Sequence, residues 1–177
     1  HQLLNWDGLN GDGQLLGFFG QLAADQVPRW IAFDGFLMGD QEGFYYTAVR
    51  AGWVASFGWD GRVRFSRTGI DPVPFPQPER TPEGGLRLTP RHRFVSYDIA
   101  PGPHPETFAV LGLIPADGRY RAVLDIYHRQ DGRYCYSMQL PRGGSSFTFY
   151  RDRLYLINEV ALLAYRPQGD TVCSPEK

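Results

Sequence analysis

Three times along the chain an apolar run meets a polar turn ending in Asp-Gly and resumes as a second, alternating run. The stretches are LLNWDGLNGDGQLLGFF, VASFGWDGRVRFS and AVLDIYHRQDGRYCYS, with their pairs at Asp12-Gly13, Asp60-Gly61 and Asp131-Gly132. Both residue types tolerate the positive φ that a tight hairpin needs, so each stretch reads as strand, turn, strand. These aspartates are therefore turn formers rather than acidic site residues. A chain punctuated in this way has little room for helices. Its 21 glycines and 14 prolines follow no period, which favours many short strands, and its 15% aromatic content suits half-buried pleated faces.

The turn chemistry divides the chain into predicted strands over 30–38, 44–49, 53–57 and 62–66. A second group covers 94–99, 107–114, 120–127 and 133–140, and a last one 146–150, 154–157 and 160–165. The final group also fits one face of a helix through Leu154, Ile157, Ala161, Leu162 and Tyr165. The β-rich run Phe147-Thr148-Phe149-Tyr150 decides for strands, with Asn158-Glu159 as their turn. Residues 70–92 break the rhythm with Pro72, Pro74, Pro76, Pro78, Pro82 and Pro90. Proline cannot donate to a ladder, so this insertion is expected to be an extended loop, or in a functional reading a lid or docking arm. The whole of 1–177 forms one domain around it.

With the insertion set aside, the hairpins recur every ~40–50 residues with four strands per unit, the pattern of propeller blades. The segments VLDIYHRQDGRYCYSMQLP and RDRLYLINEVALLAYRP resemble the terminal blades of bacterial six-bladed β-propeller proteins of the NHL/TolB-like type. ASFGWDGRVRFSRTG resembles the outer hairpin of an earlier blade. The resemblance implies an all-β fold of four-stranded antiparallel blades, about three of them. That is a partial six-bladed propeller, or one completed by oligomerisation. Further chain, a protein partner or a second copy would complete the ring, because an incomplete array leaves sheet faces and edges bare. An open or barrel-like arrangement of the sheets is the other architecture.

The resemblance also implies a secreted, periplasmic or envelope-associated module that binds or assembles without catalysis. A structural accessory subunit of a multiprotein complex is a related expectation. The competing class is a metal-dependent hydrolase, since lactonases of this fold hold calcium at the channel mouth with carboxylates and Asn. Carried onto this chain, the turn residues Asp117, Asn158 and Glu159 are the candidate ligands. A hard cation takes ~6–8 oxygens, so three turn residues do not make a site, and the expectation is no cofactor, with calcium as the alternative.

Other classes find little support. Eighteen basic residues against nineteen acidic ones give no footprint for nucleic acid. No apolar run reaches the ~20 residues of a spanning helix. The chain starts at His1, as expected of a processed protein or a piece of a longer one. Histidines at 1, 92, 104 and 128 and cysteines at 135 and 173 show no metal-finger spacing. A Cys135–Cys173 bridge would tie the tail to the sheet, and two unrelated thiols are equally compatible with the sequence.

Asp125 and His128 stand three apart on a strand and point to opposite faces, which argues against a catalytic dyad. Ser137, Ser145 and Ser146 lack a nucleophile-elbow context, and no phosphate-binding or dinucleotide fingerprint is present. Trp6, Trp30, Trp53 and Trp59, with Tyr45, Tyr46, Tyr97 and Tyr150, would either line a binding face or fill the wedge between blades. Packing is the expectation. Arg62, Arg64 and Arg67 read as a basic stripe guarding an exposed outer edge.

Overall fold

The computed structural model describes residues 34–74, 76, 78–88, 94–167 and 173. Among them there is no helix; thirteen strands form antiparallel sheets. The first sheet is a meander of β1 (Gly35–Gly39), β2 (Gly43–Ala48), β3 (Trp53–Gly58) and β4 (Val63–Thr68) in chain order. The second repeats it with β7 (Ser96–Pro101), β8 (Thr107–Ala116), β9 (Arg119–His128) and β10 (Tyr134–Gln139). The third has three strands, β11 (Ser146–Tyr150), β12 (Arg153–Ile157) and β13 (Leu162–Tyr165).

The turns follow from their residues. Gly61 and Gly132 carry φ of 78° and 69° at the ends of their Asp-Gly turns. Asp117 and Gly118, at φ 50° and 72°, form the two-residue link of the longest hairpin, β8–β9. Two consecutive positive φ values match the right-handed strand twist, which is why Asp-Gly serves here.

Strand alternation sets the stacking. Met38, Tyr45, Val54 and Phe65 of the first sheet pack on Ile99, Phe108, Val110 and Tyr127 of the second. Phe108 is fully buried, stacked on Tyr127 and Phe65 and tilted against Tyr45. Burying such a ring contributes about 1.5–3 kcal/mol. The opposite face of the second sheet, with Leu111, Leu124 and Ile126, packs on Phe147, Leu154 and Leu156 of the third. The first strands sit together, β7 lying beside β1 and β11. On the far face of the first sheet Tyr46, Trp53, Ala55 and Phe57 are also buried.

Polar links pin this stack. Val95 N–H donates to Val49 O at 2.7 Å, and the buried Thr47 and Ser96 hydroxyls share a hydrogen bond of 3.0 Å. Arg67 Nε donates to Asp131 O at 3.1 Å.

The third sheet has the three strands expected of the last group, and no closed ring forms among the described residues. Some expectations need correction. The insertion at 70–92 is not structureless: β5 (Pro78–Arg80) pairs with β6 (Leu86–Leu88) around a turn in which Thr81 N–H donates to Gly85 O. Pro78 fits because it is the first residue of its strand, and Glu79 pairs with Arg87 at 2.7 Å across the hairpin. β4 is an outer edge strand of the first sheet with Arg62, Arg64 and Arg67 exposed along it, as the stripe implied, and Arg64 and Arg67 also reach Glu42 and Asp131. The expected Asp12-Gly13 hairpin, Trp6 and Trp30 lie outside the described residues. Cys135 and Cys173 form a disulfide. Cys135 stands where the β9–β10 register shifts, so the bulge takes it out of the regular ladder.

Candidate functional site

At one end of the first two sheets, their turns line an open cleft of about 680 Å³. Its walls are the β1–β2 turn, the β7–β8 turn with Pro105 and Glu106, and the end of β9 with His128, Arg129 and Gln130. Tyr45 and Arg64 rise from β2 and β4.

The local sequence explains the placement. Asp40 Oδ1 accepts from the N–H groups of Glu42 and Gly43, folding the turn and leaving Oδ2 directed at Arg129 Nη1, 3.2 Å away. Arg129 is held from the other side by Thr107 O, which accepts from its Nε at 2.9 Å. Arg64 pairs with Glu42 at 2.6 Å and lies 3.5 Å from the Tyr45 hydroxyl. Burial raises the Tyr45 phenol above its ordinary range, the Asp40 charge adds to this, and Arg64 and Arg129 oppose it.

His128 sits between two carboxylates. Its Nδ1 is 3.3 Å from Asp131 Oδ1 without hydrogen-bond geometry, and its Nε2 is 3.8 Å from Glu106. Burial pushes the Asp131 carboxyl up, but the Arg133 N–H and the neighbouring His128 and Arg133 outweigh it and leave it low. The cleft is thus lined by charges of both signs, paired with each other. It suits a polar ligand that meets donors and acceptors together.

A second polar spot lies deeper between the same sheets. Asp125, on β9, is buried and accepts a hydrogen bond from Ser137 Oγ, which also meets the Tyr134 hydroxyl at 2.8 Å. Burial raises its carboxyl, the Ser137 hydroxyl works against that, and Asp71 adds repulsion. Asp125 and His128 have separate partners, as their opposite-facing placement requires.

The candidate calcium ligands occupy two different turns. Asp117 pairs with Arg121 at 2.6 Å in the β8–β9 turn. Asn158 Oδ1 accepts from Val160 and Ala161 N–H, closing the β12–β13 turn with Glu159 inside it. Among the described residues no group of three or more His, Cys, Asp or Glu could hold a metal ion. No helix among them is long and apolar enough to cross a membrane.

Of the aromatic candidates, Tyr45, Tyr46 and Trp53 are packed inside, whereas Trp59 and Tyr150 are 54% and 60% exposed. A different surface stands out. The outward face of the third sheet presents Ile157 and Leu162, paired across β12–β13, and Val160 projects from their turn. These three are 51%, 66% and 87% exposed. Sequence reasoning placed these residues on strands but missed the bare face, because exposure depends on which sheet ends the stack. A scan of protein-family models matches nothing in this chain, and a search of the curated proteins likewise finds no match.

Proposed function

We propose that the chain is a non-catalytic binding and assembly module built from propeller-type blades, whose third sheet packs against a further sheet. The observation that carries this reading is the exposed apolar row of Ile157, Leu162 and Val160, which adjoin one another at the β12–β13 end of the third sheet. Contiguous apolar patches rimmed by polar residues mark interaction surfaces more often than bare surface. Two further features support it. Successive meanders stack face to face, and their first strands β1, β7 and β11 lie together, as the inner strands of propeller blades do. The polar cleft then belongs to one rim of the first two blades, where its paired charges suit recognition better than bond breaking.

The experiment is the native mass of the protein by light scattering, compared with Leu162→Asp. A mass above 20.0 kDa that falls when Leu162 becomes charged supports assembly through this face. A wild-type monomer at every concentration refutes it.

A further inference from the structure

We propose that, among the described residues, Asp117 is the site at which the backbone rearranges to isoaspartate, and that the rearranged turn is a substrate for an isoaspartyl O-methyltransferase. The tripeptide Asp-Gly-Arg stands in three hairpins, at 60–62, 117–119 and 131–133. Glycine has no Cβ to shield its nitrogen, so each is open to this chemistry as a peptide. Their local sequence is the same, and the fold decides among them.

The reaction needs only water. The Gly118 nitrogen attacks the side-chain carboxyl carbon of Asp117 and forms an N–Cγ bond. The amide proton and the carboxyl hydroxyl leave together as one water, giving a five-membered succinimide. Water then reopens the ring. Addition at Cγ restores aspartate. Addition at the main-chain carbonyl breaks the original peptide bond, so the chain runs through Cγ and leaves a free α-carboxylate, the group that the methyltransferase esterifies. Nothing is oxidised or reduced.

Both reacting groups must be released for the ring to close, and two of the three turns hold them. Gly61 N–H donates to Gly58 O and Gly132 N–H to His128 O, each at 2.9 Å. Asp60 Oδ1 accepts from Arg62 N–H and Asp131 Oδ1 from Arg133 N–H, each at 3.0 Å. Gly132 also lies against the Phe65 ring, and Arg67 donates to Asp131 O.

The third turn holds neither group. Gly118 N–H makes no backbone hydrogen bond among the described residues, and a carbon added at Gly118 meets nothing within 4 Å. The Asp117 carboxylate pairs with Arg121, but it is 84% exposed, and a pair in water restrains little. A further pair, Asp34-Gly35, enters a ladder at once: Gly35 pairs with Ala48, and Asp34 O accepts from Val49 N–H.

The surroundings favour the same turn. Pairing of β7 with β8 ends at Ser96 and Gly112, and pairing of β10 with β9 ends at Gln139 and Val123. The pairs from Ile114–Arg121 to Ala116–Arg119 therefore project beyond both neighbours as a two-stranded ribbon. Two strands alone are marginally stable in water, so this tip opens locally without unfolding the sheet.

The test ages the full chain, bridge intact, in neutral buffer with and without urea. Tryptic peptides are then offered to purified isoaspartyl O-methyltransferase with labelled S-adenosylmethionine. In the native sample the label should gather in peptide 94–119 rather than in 51–62 or 130–133. Asp117→Glu, whose longer side chain closes the ring poorly, should lose it. In urea the three peptides should label alike, because only the fold separates them. Native label that appears equally or first at Asp60 or Asp131 overturns the proposal. So does a preference for Asp117 that survives in urea, or a native sample that stays unlabelled when the urea sample is labelled.

Discussion

Asp98 on the first strand of the second sheet reaches the first strand of the third: its Oδ2 accepts from Ser146 Oγ at 2.6 Å and from Phe147 N–H at 2.9 Å. Its other oxygen accepts from its own neighbour, Ile99 N–H. One carboxylate thereby sets the height of β11 against β7.

Replacing Asp98 by Ala strands the part-buried Phe147 N–H and should cost about 1–3 kcal/mol. Thermal unfolding is expected to shift down by roughly 2–4 °C per kcal/mol for a chain of this size. Amide exchange should rise first in β11 and β12. Unchanged exchange there would show that apolar packing alone holds the third sheet.

The Cys135–Cys173 bridge closes a separation of 38 residues, for which chain entropy predicts a loss of roughly 4 kcal/mol on reduction. Urea unfolding with and without reductant measures it. The Cys135→Ser, Cys173→Ser double variant should match the reduced protein and ignore the reductant.

Two aspartates should bend the pH dependence of stability in opposite directions. Burial raises the Asp125 carboxyl in the fold, so its favourable contribution exists at low pH and is lost as pH rises through the raised value. Asp125→Asn can still accept from Ser137 and should therefore stabilise the protein at neutral pH. Asp131 is held low, so its contribution is present above the ordinary carboxylate range and fades as pH falls. Asp131→Asn should weaken the fold at neutral pH and make little difference in acid. Unfolding midpoints of both variants at acid and neutral pH give the comparison.

Two turn glycines of similar φ should respond differently to Ala. At Gly118 an added Cβ meets nothing, so the left-handed backbone alone costs roughly 1–2 kcal/mol. At Gly132 the same carbon runs into the Phe65 ring of the first sheet, adding ~1–3 kcal/mol of overpacking. Equal unfolding midpoints for the two variants would contradict this packing of the second hairpin turn on the first sheet.

What the sequence disclosed and what it withheld divide along the range of the interaction. The strands were legible because alternation and turn chemistry act within a few residues: β2 to β4 and β7 to β13 lie close to their predicted spans, and β1 covers the described end of the strand expected over 30–38. The short β5–β6 hairpin was not, since the prolines around it dominate the local signal. Arg64 does stand in an exposed stripe on the edge strand β4, but nothing nearby in the chain names Glu42 and Tyr45 as its partners. The cleft depends on Asp40 meeting Arg129, and the stack on Asp98 meeting Ser146, partners far apart in sequence. The two cysteines left bridge and free thiols equally open, and only the placement of residue 173 beside β10 decided between them.

The bridge has a topological consequence as well. Strands β11, β12 and β13 all lie between Cys135 and Cys173, so the third sheet is carried inside a covalent ring. A protease that nicks the exposed Arg142-Gly143 connection severs the backbone but not the molecule. The two fragments stay joined through sulfur and part only when a reductant is added.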